Sequence, residues 1–159
     1  MHVEYMKKID ALYSRLGYGT YSWVINKDTP PWQPLEKPLS ECRLALLSSG
    51  GIYVSGQVAF HYKDDTSFRA IPKGVKTGDL RASHFAYDMS AARRDPNTVF
   101  PIDTVRRLVA AGLVGDMTDH AYSFMGGIYS SRRVREELAP KLTEQVLAEQ
   151  ADAVLLVPC

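Results

Sequence analysis

Apolar residues set out a layered chain. Val3, Met6, Ile9, Leu12 and Leu16 recur at three- and four-residue spacing, which predicts one amphipathic helix over residues 3 to 16, ending near Gly17. The stretch NKDTPPWQPLEKPLSE follows, with four prolines. Proline removes backbone donors and fixes φ, so this segment reads as an extended connector. In CRLALLSSGG, Leu44 to Leu47 form a first core strand that breaks at Gly50-Gly51. A poorly periodic stretch runs from Ile52 to about Pro101, and loops of that length carry function or small elements of their own. PIDTVRRLVAAG predicts a helix with Asp103 as N-cap and Gly112 as terminator. VGDMTDHAYS is a weaker strand candidate leading into SFMGG, and Val134, Leu138, Leu142 and Val146 give a helical period interrupted at Pro140. The continuous apolar run Val154 to Val157 predicts a final strand covered on both faces, as in a parallel sheet.

This order predicts an α/β fold. The sheet is parallel or mostly parallel with helices on both faces, Rossmann/flavodoxin-like, and incomplete at the C-terminus, because no crossover follows the last strand. Two parts are expected: residues 1–40, the helix and its proline-rich connector, and residues 41–159, the α/β body.

Composition narrows the class. The 159 residues suffice for one core, and a net charge of +1 gives no electrostatic case for nucleic acid or an anionic membrane. Apolar runs fall well short of the roughly 20 residues that span a bilayer. Residues 1–16 carry charge throughout, unlike a secretory signal. Two cysteines make no disulfide framework, so a reducing cytoplasm is expected.

In open parallel sheets ligands bind outside the carboxyl ends of the strands. Three segments are predicted there: Ser48-Ser49-Gly50-Gly51, the run His120 to Gly127, and Pro158-Cys159. The first two suggest a substrate-binding set of Ser48, Ser49, Gly50, Gly51, Tyr122, Ser123, Gly126 and Gly127. Paired glycines allow close approach of an anion, with a helix N-terminus after Gly127 and Arg132 or Arg133 as its ionic partner. Cys159 is a candidate reactive thiol if a positive field favours its thiolate, the plainer reading being a small buried hydrophobe. Cys42 takes the plainer reading. His84 and His120 are candidate proton-handling groups or structural histidines, and Asp88 either orients the site or caps a helix. No metal site is expected, because no two histidines stand at ligand spacing on one element. No Gly-x-Ser-x-Gly elbow anchors a hydrolase triad.

The segments SFRAIP, SHFAYD, VFPIDTVRRL, HAYSFMGG, EELAPKL and DAVLLVP, in that order over residues 40 to 159, resemble the selenoprotein B family. That family comprises the selenocysteine subunits of D-proline reductase and of glycine, sarcosine and betaine reductases, and the likeness is nearest to the shorter D-proline-reductase type. The resemblance implies reductive C–N bond cleavage of an amino acid or amine, with a dithiol/disulfide couple as electron partner. It implies no cofactor bound directly, a selenocysteine just after Cys159, and a pyruvoyl group on a partner subunit. Cys159, His120 and His84 are the catalytic candidates; that the glycine-pair loops hold the substrate carboxylate and that His120 or His84 manages protons is our own inference from the residues and not a family assignment. A one-residue shift of register puts Cys159 in the selenocysteine slot itself. A homo-oligomer is a further partner class. The rival readings are an inert small-molecule-binding or assembly subunit, and a thiol oxidoreductase using Cys159.

Overall fold

The computed structural model describes residues 4–20 and 25–159, so Val3 of the first predicted helix lies outside them. The chain divides into two units, Met1–Gln33 and Pro34–Cys159.

In the first unit, helix α1 (Tyr5–Arg15) ends as its spacing predicts. Gly17 takes φ +83°, and the N–H of Tyr18 returns to the Tyr13 carbonyl. A left-handed residue after the last turn satisfies carbonyls that the helix leaves open, and glycine adopts it without strain.

The second unit is mixed α/β. Strand β1 (Arg43–Ser48) is central and almost wholly buried. On one side it pairs in parallel with two short strands placed end to end, β5 (Asp116–Met117) along its first half and β6 (His120–Phe124) along its second. On the other side β7 (Ala153–Val157) pairs in parallel along Leu44 to Ser48. Beyond β6, β3 (Phe68–Pro72) closes that edge antiparallel. The long irregular stretch also supplies a small antiparallel pair, β2 (Ile52–Val54) with β4 (Leu80–Ala82), and the short helix α2 (Ser90–Arg94).

Side chains alternate across a strand, so β1 feeds two cores. Leu44 and Leu46 face α3 (Ile102–Ala110) through Ile102 and Val105, with Phe100, Ile71 and Ala121. Ala45 and Leu47 face the opposite layer, where Leu138, Leu142 and Val146 pack with Tyr122. That second layer is one helical run: α4 (Ser131–Arg133), a π-turn over Val134–Leu138, and α5 (Ala139–Ala148). Pro140 has no N–H to give and its ring crowds the carbonyl four residues back, so the helix widens there instead of breaking.

Two expectations change. Asp103 is not the N-cap of α3, a place taken by Pro101; it lies in the first turn and accepts from Thr77 Oγ1 (2.6 Å), Asn97 Nδ2 (3.0 Å) and Arg106 (2.6 Å). The final strand is not covered on both faces. β7 is a sheet edge, with Val154, Leu155 and Leu156 exposed at 44%, 39% and 66%. An apolar run reports the hydrophobicity of a strand; whether a neighbour covers it is a tertiary matter.

Candidate functional site

The parallel strands stand in the order β6-β1-β7, and their two connections run over opposite faces. That reversal opens a crevice at the carboxyl ends of β1 and β7, the place where open α/β sheets bind ligands. An open cleft of about 260 Å³ lies there, lined by Leu47, Ser49, Phe124, Leu156, Val157 and Pro158.

The loop after β1 is built from its own side chains. Ser48, fully buried, accepts from the Gly50 N–H (3.0 Å) and donates its hydroxyl to the Val99 carbonyl (2.6 Å). Ser49 joins three strand ends. Its N–H goes to the Val157 carbonyl (3.1 Å), its carbonyl takes the Gly126 N–H (3.0 Å), and its hydroxyl accepts the Cys159 N–H (2.8 Å). Glycine is required twice. A Cβ on Gly50 would stand 2.9 Å from Val99, and one on Gly51, at φ +68°, would stand 2.2 Å from the Ser83 carbonyl oxygen.

These glycines bring chain segments together; they do not open a cradle for an anion. The Gly51 N–H is taken by the Phe124 carbonyl, the Ile52 N–H by Ser123 Oγ, and the Gly127 N–H by Met125 Sδ. The cations expected beside them are engaged too. Arg132 pairs with Glu136 at 2.7 Å, and Arg133 with Glu137 at 3.0 Å and with the Asp64 carbonyl. Helix α4 caps itself, Ser130 Oγ accepting from the Arg133 N–H.

His84 belongs to the site. It is buried, and its Nδ1 accepts from the Ala86 N–H at 3.0 Å. Its Nε2 lies 3.1 Å from the Gly126 N, whose N–H also reaches the Ser49 carbonyl at 3.0 Å, and the ring interacts with the Ser49 backbone. Burial lowers the His84 pKa and the bond to Ser49 raises it, with a net fall. The ring is therefore a neutral tie between the loops after β1 and β6.

Cys159 lies at the mouth, its sulfur 4.0 Å from the Val99 carbonyl oxygen. The residue as a whole is exposed, yet crowding at the sulfur raises the thiol pKa, against the opposing pull of the Ser48 and Ser49 hydroxyls. No cation among the described residues contributes, so the positive field that would favour a thiolate is missing here. Tyr87 completes the rim. It donates its hydroxyl to the Gly50 carbonyl (2.8 Å), and burial together with the Cys159 sulfur pushes its pKa up to about 12. Tyr87 and Val99 gave no sequence signal beyond lying inside SHFAYD and VFPID, because only the fold carries them to the strand ends.

Other candidates lie elsewhere. His120 opens β6 and so sits at its amino end, away from Cys159. Its Nδ1 meets Glu149 Oε1 at 2.8 Å, and its N–H meets Oε2 at 3.0 Å. Tyr122 is buried in the α5-side core and donates to the same carboxylate at 2.7 Å. Burial favours the protonated form of Glu149, but these three donors outweigh it and hold the pKa below the ordinary carboxylate range. Ser123 is fully buried as a strand tie. Asp88 is exposed and accepts from the N–H and hydroxyl of Ser90 at the start of α2, which keep its pKa low. A larger cleft, about 480 Å³, lies at the amino ends of the strands, lined by Lys37, Cys42, Arg43, Asp116 and Asp152 among others. Several of its charges are paired, Lys37 with Asp152 (2.8 Å), Asp116 with Lys73 (3.2 Å) and Arg43 with Asp119 (3.2 Å), while Cys42 turns its thiol onto the Lys37 and Pro38 carbonyls. Among the described residues no group of three or more His, Cys, Asp or Glu is arranged to hold a metal, and no helix is long and apolar enough to cross a membrane.

Known proteins resemble this chain along most of its length. The profile of the glycine/sarcosine/betaine reductase selenoprotein B family matches residues 17–159. D-proline reductase subunit gamma of Acetoanaerobium sticklandii is 35% identical over 140 residues, covering 87% of this chain and 58% of that protein. Glycine reductase complex component B subunit gamma of Symbiobacterium thermophilum is 30% identical over 139 residues, 81% of this chain and 31% of the relative. Sarcosine reductase complex component B subunit beta of Peptoclostridium acidaminophilum is 26% identical over 129 residues, 74% of this chain and 29% of the relative. The chain thus spans just over half of the first relative and under a third of the other two. No solved structure matches it. With the segments from SFRAIP to DAVLLVP in place and a family match across residues 17–159, this chain belongs to the glycine/sarcosine/betaine reductase selenoprotein B family.

Proposed function

We propose that this chain is part of a selenoprotein B-type reductase subunit that cleaves a C–N bond of an amino acid or amine reductively. The observation that carries this reading is the delivery of the end of β7 into the Ser49 loop at the crevice, within a chain whose family is named for its selenoprotein. The strand order and the helices on opposite faces support a Rossmann/flavodoxin-like frame for the cleft. The sparse cysteines support a cytoplasmic setting.

In this reading a selenocysteine would follow Cys159 and supply a nucleophile ionised at neutral pH, and a pyruvoyl group on a partner subunit and a dithiol couple would supply the amine-binding carbonyl and the two electrons that the cleavage requires. The residues present suit that assignment. Ser49 pins the backbone at Cys159, the hydroxyls of Ser48 and Ser49 favour an anionic chalcogen beside them, and Leu47, Phe124, Leu156 and Val157 offer an apolar lining. Cys159 itself stays a thiol at neutral pH, which favours the role of neighbour over that of nucleophile and weighs against the simple thiol-oxidoreductase reading. D-Proline, glycine, sarcosine and betaine are the candidate substrates.

The test is the coding sequence past codon 159, with selenium analysis of protein from the cells that make it. An in-frame UGA, two further codons, a cysteine codon and stoichiometric selenium are expected. A selenium-free protein without reductase activity would refute the reading and favour an assembly subunit.

A further inference from the structure

The outer edge of β7 is the least finished part of the fold. Val154 and Leu156 pair with Ala45 and Leu47 and so face the α5 layer, while Leu155 pairs with Leu46 and faces the α3 layer. All three are exposed, while Ala153 and Val157 at the strand ends pack partly against the α3-side core, so the helical layers leave the middle of this strand uncovered. Natural edges are blunted by lysine, proline, a bulge or an inward charge. Ala153–Val157 is AVLLV and contains none of them. The opposite edge of the sheet contrasts with it: β3 carries Arg69, whose guanidinium turns back onto the Val58 carbonyl and the Ser67 hydroxyl. The cleft shares the defect. Leu156, Val157 and Pro158 form one of its walls and belong to the strand that lacks an outer neighbour.

We propose that β7 is an internal strand of the working subunit. Its free edge takes a parallel strand from the polypeptide that makes up the rest of the selenoprotein B-type sequence, joined to this chain or carried separately, and that addition completes the wall of the cleft. The occupant follows from length and direction. This chain covers 58% of D-proline reductase subunit gamma, so a large part of the relative is unaccounted for. A strand beside β7 that continues the parallel order brings a crossover helix with it, and this covers a face as well as the edge. A second copy pairing edge to edge about a two-fold axis adds no crossover of its own, which makes it the poorer fit to a strand whose middle is exposed on both faces.

The inference rests on the reductase-subunit reading for the identity of the added strand. Its test is hydrogen exchange followed by mass spectrometry on residues 153–157, comparing the assembly isolated from the cells that make it with the 159-residue chain produced alone. The β7 amides that point away from β1 are expected to exchange about 100-fold more slowly in the assembly. Val154→Lys or Leu155→Lys should abolish that protection while leaving the melting temperature of the chain alone unchanged. Equal exchange in the two samples overturns the proposal. So does protection in an assembly that holds two copies of this chain and no further selenoprotein B-type sequence. Selenium content and reductase turnover on the same sample separate the outcomes, since the edge can prove bare in an active selenium enzyme or covered in an inactive one.

Discussion

Gly51→Ala isolates the steric condition on which the crevice is built. An added Cβ would lie 2.2 Å from the Ser83 carbonyl oxygen, whereas carbon and oxygen rest at about 3.3–3.6 Å, so the Ser83 segment must retreat by roughly 1 Å. Two hydrogen bonds hold that segment and this turn, Ser83 N–H to the Gly51 carbonyl and Gly51 N–H to the Phe124 carbonyl, both at 2.9 Å. Losing or stretching both costs about 2 kcal/mol, and a left-handed φ on alanine adds about 1–2 kcal/mol. The expected destabilisation is therefore about 3–4 kcal/mol. In urea, with m near 2 kcal/mol/M, the midpoint followed by far-UV circular dichroism should fall by roughly 1.5–2 M. Gly56→Ala is the control. Gly56 has φ +98° with nothing within 4 Å of the added carbon, so strain alone should cost about 1–2 kcal/mol. If Gly51→Ala loses no more than Gly56→Ala, the close approach of Ser83 to the strand end does not constrain the loop.

Three further outcomes follow from the geometry. Ser49→Ala removes a hydroxyl that lowers the Cys159 thiol pKa, so alkylation of Cys159 should move to higher pH, while Ser49→Thr should keep the original profile; buried Cys42 is the internal reference. The Glu149 carboxyl has a lowered folded pKa, so its stabilisation is complete above the unfolded value and is lost as pH falls through the folded one. Glu149→Gln should cost about 1–3 kcal/mol near neutrality and flatten part of the acid limb of a melting-temperature profile, other depressed carboxylates keeping the rest. His120→Ala in the selenium-containing enzyme should leave turnover within about twofold at equal folded fraction, because the ring lies at the amino end of β6. A loss above tenfold would return it to the chemistry.

Much of the chain was legible in one dimension. The spacing of Val105, Leu108 and Val109 marked α3, the LALL run marked β1, and Gly17 and Gly112 ended helices at positive φ as local sterics require. HAYSFMGG and its companions carried the family. Convergence of the Ser48–Gly51 loop with Cys159 followed from strand polarity, since parallel neighbours present their carboxyl ends together. His120 was misplaced for the same kind of reason: HAYSF is all strand, so its first residue lies one strand length from its last, and periodicity alone does not say where the strand begins.

The rest was decided by non-local pairing. Whether a glycine N–H is free for a ligand depends on which carbonyl, hydroxyl or sulfur the fold brings to it, and Phe124, Ser123 and Met125 claimed those donors. Whether a thiol ionises depends on the burial and the hydrogen-bond partners of its sulfur, and the neighbours of Cys159 are Ser48, Ser49 and Val99, all at least sixty residues away. Hydrophobicity is written into AVLLV, but burial is a property of its neighbours. The amino-acid sequence therefore determined the elements and the family, while tertiary packing alone decided which edge stayed bare and which groups share the cleft.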